Sequence, residues 1–113
     1  MKWVKNSEKI TKKNPGACVV HDYALGDADI DGAVAEITGR EPSGGFEANT
    51  KCKELCYVVK GNGTLFFENK HIRLAEGDMV LIQPMEKYYW DGNMTLFISC
   101  SPKWRYEDHI FVK

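Results

Sequence analysis

The sequence predicts a small all-β domain, a barrel or two-sheet sandwich, and three observations carry that reading. Short apolar, partly β-branched runs recur along the chain, turn residues separate them at close intervals, and no stretch supplies the long helical period of a βαβ unit. With 113 residues and 43% hydrophobic side chains, the chain makes one domain and can bury a core without a metal or disulfide to hold it together.

The elements follow in order. The opening segment "MKWVKNSEKITKKNP" carries Lys2, Lys5, Lys9, Lys12 and Lys13, with Trp3, Val4 and Ile10 as apolar surface. Residues 1–16 are expected to form an N-terminal arm and residues 17–113 the barrel. "ACVVHDY" (17–23) and "GAVAEITG" (32–39) read as strands flanking the turn-rich "LGDADIDG". After "REPSGG" come "CKELCYVV", "GNG", "TLFFE", "NK" and "HIRLA", the rhythm of consecutive hairpins. Gly61 and Gly63 are expected in one turn and Asn69-Lys70 at the tip of the next. "EGD" (76–78) reads as a turn, "MVLIQP" as a short strand, "MEKYYWDGN" as a loop, "MTLFISCS" as a strand and "YEDHIFVK" as an edge or packing segment.

Composition excludes several classes of function. Fifteen basic and sixteen acidic side chains nearly cancel, which argues against a general affinity for nucleic acid. The imbalance is local: Asp22, Asp27, Asp29 and Asp31 follow the lysine-rich start and read as solvated surface. No apolar run approaches the roughly 20 residues of a membrane-spanning helix, and the first residues lack the apolar run of a secretory signal. The four cysteines are expected to be reduced and the protein cytoplasmic.

In the second half of the chain the order of residues resembles the cupin superfamily in its small single-domain form. The first cupin motif has a glycine, a His-x-His pair, a glutamate and a later glycine; "GGFEANTKCKELCYVVKG" supplies Gly45, Glu54 and Gly61. The second begins Gly-Asp and passes through an apolar strand to a proline, a histidine and an asparagine. "GDMVLIQPMEKYYWDGN" supplies Gly77-Asp78, Pro84, Tyr89 and Asn93, with one extra residue between Gly77 and Pro84. The similarity spans about residues 33 to 102 and implies a cupin-like double-stranded β-helix, the RmlC-like jelly-roll barrel.

The same resemblance implies one metal held by three histidines and the glutamate, and here the chain departs from the pattern. The first two histidine positions fall on Glu47 and Asn49, or on Ala48 and Thr50 with the shorter spacer, and the third falls on Tyr89. Only Glu54 remains. A set of Glu47, Asn49 and Glu54, the residues that would hold a metal if one were bound, lacks the imidazole and thiolate that give zinc, iron and nickel sites their affinity. The expectation is therefore a barrel without the usual transition metal and without any other cofactor. Cys52, Glu54 and Cys56 share one face of a strand, but residues four apart in an extended strand lie about 13 Å apart. That is too far for both cysteines to reach one ion comfortably unless a bulge intervenes, and too far for a disulfide on an extended strand. Cys56 is the best candidate nucleophile.

These residues define a candidate ligand site of Glu47, Asn49, Glu54, Cys56 and Tyr89, with one or both of Tyr88 and Trp90 expected on the barrel surface or rim. An inward Glu54 must be hydrogen-bonded, paired or protonated, and Tyr89 or Asn49 is the expected partner. The favoured function is binding of a small organic molecule. One alternative is an isomerase, epimerase or lyase with Glu54 as base and Tyr89 as acid; another is a structural or interaction protein with a filled barrel. Trp3, Phe46, Trp104, Tyr106 and Phe111, with the apolar arm, point to a homodimer, with neither nucleic acid nor membrane as partner.

Overall fold

Alternation of apolar and polar side chains in a strand puts one set into the core and the other into solvent, and the fold is two long strands that follow this rule with shorter ones hung on them. In a computed structural model describing residues 1–14 and 16–113, nine strands are present: β1 (Ile10–Asn14), β2 (Cys18–Asp22), β3 (Ala33–Glu41), β4 (Phe46–Asn49), β5 (Lys53–Phe67), β6 (His71–Ala75), β7 (Met79–Ile82), β8 (Tyr88–Ser101) and β9 (His109–Val112). All pairings are antiparallel. The sheet runs β1-β2-β3-β8-β4-β9, and β5 pairs with β6, β7 and β8. Because β8 is bonded to β3 along one edge and to β5 along the other, the sheet curls on itself around a core that includes Ile37, Val58, Leu65, Ile82, Trp90 and Leu96. No helix is long and apolar enough to cross a membrane among the described residues.

Two sequence expectations are corrected. "GNG" is not a hairpin turn: β5 runs straight through it to Phe67 and stays paired with β8 on both sides. The glycines instead serve a bulge, marked by a register shift between Val58 and Lys60. Gly61 has φ +84°, and a Cβ there would run into the carbonyl oxygen of Asn93, so the position needs glycine for conformation and for space. The bulge changes which residues face inward. Glu54, Cys56 and Val58 are buried before it and Leu65 after it, a switch from even to odd numbers that a one-residue insertion enforces. The real turn follows Phe67, whose amide donates to the Lys70 carbonyl at 2.8 Å, in accord with the expected Asn69-Lys70 tip.

The second correction is that "YYWDGN" is strand rather than loop. Tyr88 to Asn93 are paired with Phe67 to Asn62 in β5, and Trp90 to Asn93 also with Glu41 to Thr38 in β3. Gly39, Gly92 and Gly63 stand side by side in this register. A Cβ on Gly92 would lie 2.5 Å from the Gly63 Cα, so two glycines let the strands approach where a side chain would hold them apart. The expected arm contributes an edge strand: β1 pairs with β2 along its whole length.

Candidate functional site

Inward positions on five strands bring an acidic cluster to one end of the barrel. Directly opposed residues share a face of a sheet. Glu41 in β3 is opposite Trp90, Glu47 in β4 is opposite Tyr88, and Tyr88 and Trp90 are both buried. Glu54 on β5 enters the same space, where the Tyr88 hydroxyl donates a hydrogen bond to its Oε2 at 2.8 Å. From β9, His109 lies opposite Asn49 and places its Nε2 3.9 Å from Glu47 Oε1. Trp104 and Phe111 flank the His109 ring, with centroids at 5.7 and 4.6 Å.

Burial dominates the electrostatics of this cluster. Glu54 is 6% exposed, and loss of water pushes its carboxyl up to about 7; the Tyr88 hydrogen bond opposes that rise, the Glu47 charge adds to it and His109 opposes it. Glu41, 8% exposed, is likewise raised to about 7 by burial, further by Glu47, and held back by His109. Its Oε2 is buried with no hydrogen-bond partner among the described residues. The buried Tyr88 hydroxyl is held well above its ordinary value by burial and by the Glu54 and Glu47 charges. It therefore stays a proton donor at neutral pH.

The expected partner of Glu54 is thus corrected from Tyr89 to its neighbour. Tyr89 faces outward, where its ring stacks on Phe66 at 4.5 Å, meets Phe46 edge-on at 5.4 Å and lies under the Arg40 guanidinium at 3.8 Å. Arg40 in turn donates to the Pro42 and Gly45 carbonyls, so Tyr89 supports the loop before β4 from outside the barrel. Tyr88 and Trp90, one or both expected on the surface or rim, are both core residues. Asn49 does not bond to Glu54; its Oδ1 accepts from the Lys51 and Cys52 amides at 2.9 Å, and its Nδ2 is buried without a partner among the described residues. Cys56 is 1% exposed, and burial, then the Glu54 charge, pushes its thiol well above the ordinary value, the opposite of an activated nucleophile. Glu47 does lie in the cluster, beside His109.

Sequence reasoning missed Glu41, Tyr88 and His109. The signal for Tyr88 was present: counting back in twos from the apolar Leu96 and Met94 reaches Trp90 and Tyr88. For Glu41 and His109 no local pattern exists, because β3 and β9 reach the site only through β8 and β4. The imidazole-rich metal set of the resemblance does not fit here, since Tyr89 is outside and Asn49 is committed to a turn. Two clefts, about 370 Å³ beside Asn62, Arg73 and Leu74 and about 330 Å³ beside Val4, Tyr23 and Phe97, lie away from the acidic cluster.

Comparison with known proteins bears on the fold. The sequence profile of the EutQ-like cupin domain matches residues 31–98. No functionally curated protein sequence matches the chain. Among solved structures, Pac13 from Streptomyces, described as a unique nucleoside dehydratase, superposes with a TM-score of 0.89 at 16% identity over 100% of this chain and 91% of its own. Streptomyces Pac13 has also been solved with uridine. KdgF from Halomonas sp. gives 0.75 at 16% identity, covering 95% and 97%. An RmlC-like cupin from Shewanella frigidimarina gives 0.75 at 14% identity, covering 93% of each chain. At these identities the likeness speaks for the barrel alone.

Proposed function

The chain belongs to the EutQ-like cupin family, and we propose that it binds a small polyhydroxylated or nucleoside-like molecule among Glu41, Glu47, Tyr88 and His109. One observation carries the reading: Glu41 buries a carboxyl oxygen that finds no hydrogen-bond partner among the described residues. An unpaired buried acceptor costs about 1–3 kcal/mol, and a ligand hydroxyl or ring N–H would relieve that cost. Trp104 and Phe111, partly or largely exposed beside His109, offer apolar faces for a ring at the rim. Pac13, of the same fold, has been solved with uridine, which makes uridine a sensible first probe. In calorimetric titration, uridine or another nucleoside is expected to bind wild-type protein and to bind Glu41→Ala and Glu47→Gln at least tenfold more weakly. Equal affinity in wild type and both variants would remove the site.

A second reading, turnover of that ligand by isomerisation or elimination, is favoured by the Tyr88–Glu54 hydrogen bond. It places a protonated phenol next to a carboxyl, the pairing that general acid–base chemistry needs. Tyr88→Phe is then expected to abolish turnover while leaving binding measurable. The four cysteines are free and buried, which supports the expected reducing, cytoplasmic compartment. We further propose a homodimer formed by the outer face on which Leu55, Tyr57, Met79, Leu81 and Phe97 are exposed.

A further inference from the structure

We propose that Cys52, Cys100 and Glu54 form a binding site for one zinc ion at the floor of the acidic cluster. The three side chains are buried, and their ligand atoms all lie within 4.8 Å of one another. Cys52 and Cys56 on one extended strand lie too far apart to share an ion comfortably. The second thiol comes from the neighbouring strand: Cys100 in β8 is directly opposite Glu54 in β5, and Cys52 precedes Glu54 by two residues on the same face.

The chemistry of this set differs from the imidazole set that the family resemblance implies. Two thiolates and one carboxylate suit zinc, with Zn–S near 2.3 Å and Zn–O near 2.0–2.2 Å. Tetrahedral ligands at those lengths stand about 3.5–3.8 Å apart. Closing around an ion therefore requires the side chains to draw in by no more than about 1 Å, within reach of small χ adjustments. Three protein ligands leave a fourth position for water or a bound small molecule.

The surroundings hold these three residues in place. The Cys52 amide donates to Asn49 Oδ1 at 2.9 Å and the Cys100 amide to Asp31 Oδ1 at 2.7 Å, so a polar side chain fixes the backbone at each cysteine. Tyr88 occupies one oxygen of Glu54 and leaves the other for an ion, the arrangement by which outer hydrogen bonds orient a ligating carboxylate. Asn49, which anchors Cys52, also carries a buried amide nitrogen with no partner among the described residues. Cys18 and Cys56 are equally buried but belong to no such group among the described residues, and so they serve as internal controls.

The test uses full-length reduced protein freed of metal with a chelator and titrated with cobalt(II), then with zinc(II). It needs no organic ligand, so its outcome is separate from that of the proposed small-molecule site. Wild type is expected to take up one cobalt per chain with a near-ultraviolet thiolate-to-cobalt charge-transfer band that zinc abolishes. Cys18→Ser and Cys56→Ser retain the band at full intensity; Cys52→Ser and Cys100→Ser, each left with one thiolate of the pair, lose at least half of it and bind zinc at least tenfold more weakly. Reduced wild type that shows no band at excess cobalt would overturn the proposal whatever the variants do, and so would a band of wild-type intensity in Cys52→Ser and Cys100→Ser.

Discussion

Tyr88 and Tyr89 are adjacent residues of one type with opposite tasks, and strand parity alone separates them. Tyr88 satisfies Glu54 within the core, so Tyr88→Phe leaves a buried acceptor short of a donor and is expected to cost about 1–3 kcal/mol in denaturant unfolding. Tyr89→Phe keeps the ring that stacks on Phe66 and lies under Arg40 and is expected to change stability by less than about 0.5 kcal/mol. A larger loss from Tyr89→Phe than from Tyr88→Phe would reverse the assignment. Glu41 gives a pH-dependent prediction. Its folded carboxyl is raised from 4.5 to about 7 by burial and by Glu47, so the folded state binds the proton more tightly than the unfolded state. Stability from this group is present in full below pH 4.5 and is lost as pH rises through about 7. Glu41→Gln, which cannot charge, is therefore expected to be more stable than wild type at pH 8, by up to about 3 kcal/mol. The advantage should fade at acid pH; thermal unfolding at several pH values reads this directly, and an advantage that grows toward acid would contradict it.

At the scale of elements, the bulge in β5 decides what faces the barrel. Without the extra residue near Lys60, Glu54 and Leu65 could not both point inward. Gly61→Ala meets the Asn93 carbonyl and an unfavourable positive φ and is expected to destabilise by about 2 kcal/mol or more. Gly44→Ala, where an added Cβ has open space, serves as the silent control in the same unfolding experiment. Much of the architecture was legible in the sequence because period-two alternation and glycine-proline punctuation are local signals: β2, β3, β6, β7 and the Asn69-Lys70 turn follow from them. The glycines at 61, 63 and 92 misled that reading, since glycine marks both turns and close strand contacts. Glu54 was found through the family resemblance. The rest of the site was hidden because Glu41, His109 and Cys100 approach Glu54 only through pairing over long sequence separations, which no local pattern records.

The whole molecule presents two contrasting surfaces: an acidic interior end, and an outer sheet face bearing exposed Leu55, Tyr57, Met79, Leu81 and Phe97. These residues share one face by register, with Leu55 opposite Leu81 and Tyr57 opposite Met79 and Phe97. A contiguous apolar face of this kind favours association. Light scattering at tens of micromolar is expected to give the mass of two chains, and Leu81→Lys with Met79→Lys to return one; a monomeric wild type would refute the dimer. The central claim, that the fold gathers buried carboxyls to receive a small molecule, is tested most directly by a carbon-13 NMR pH titration of glutamate-labelled protein with and without uridine. The account predicts that Glu41 titrates near 7 in the free protein and that uridine moves its midpoint. A Glu41 carboxyl that titrates like an exposed glutamate, unmoved by uridine, would contradict it.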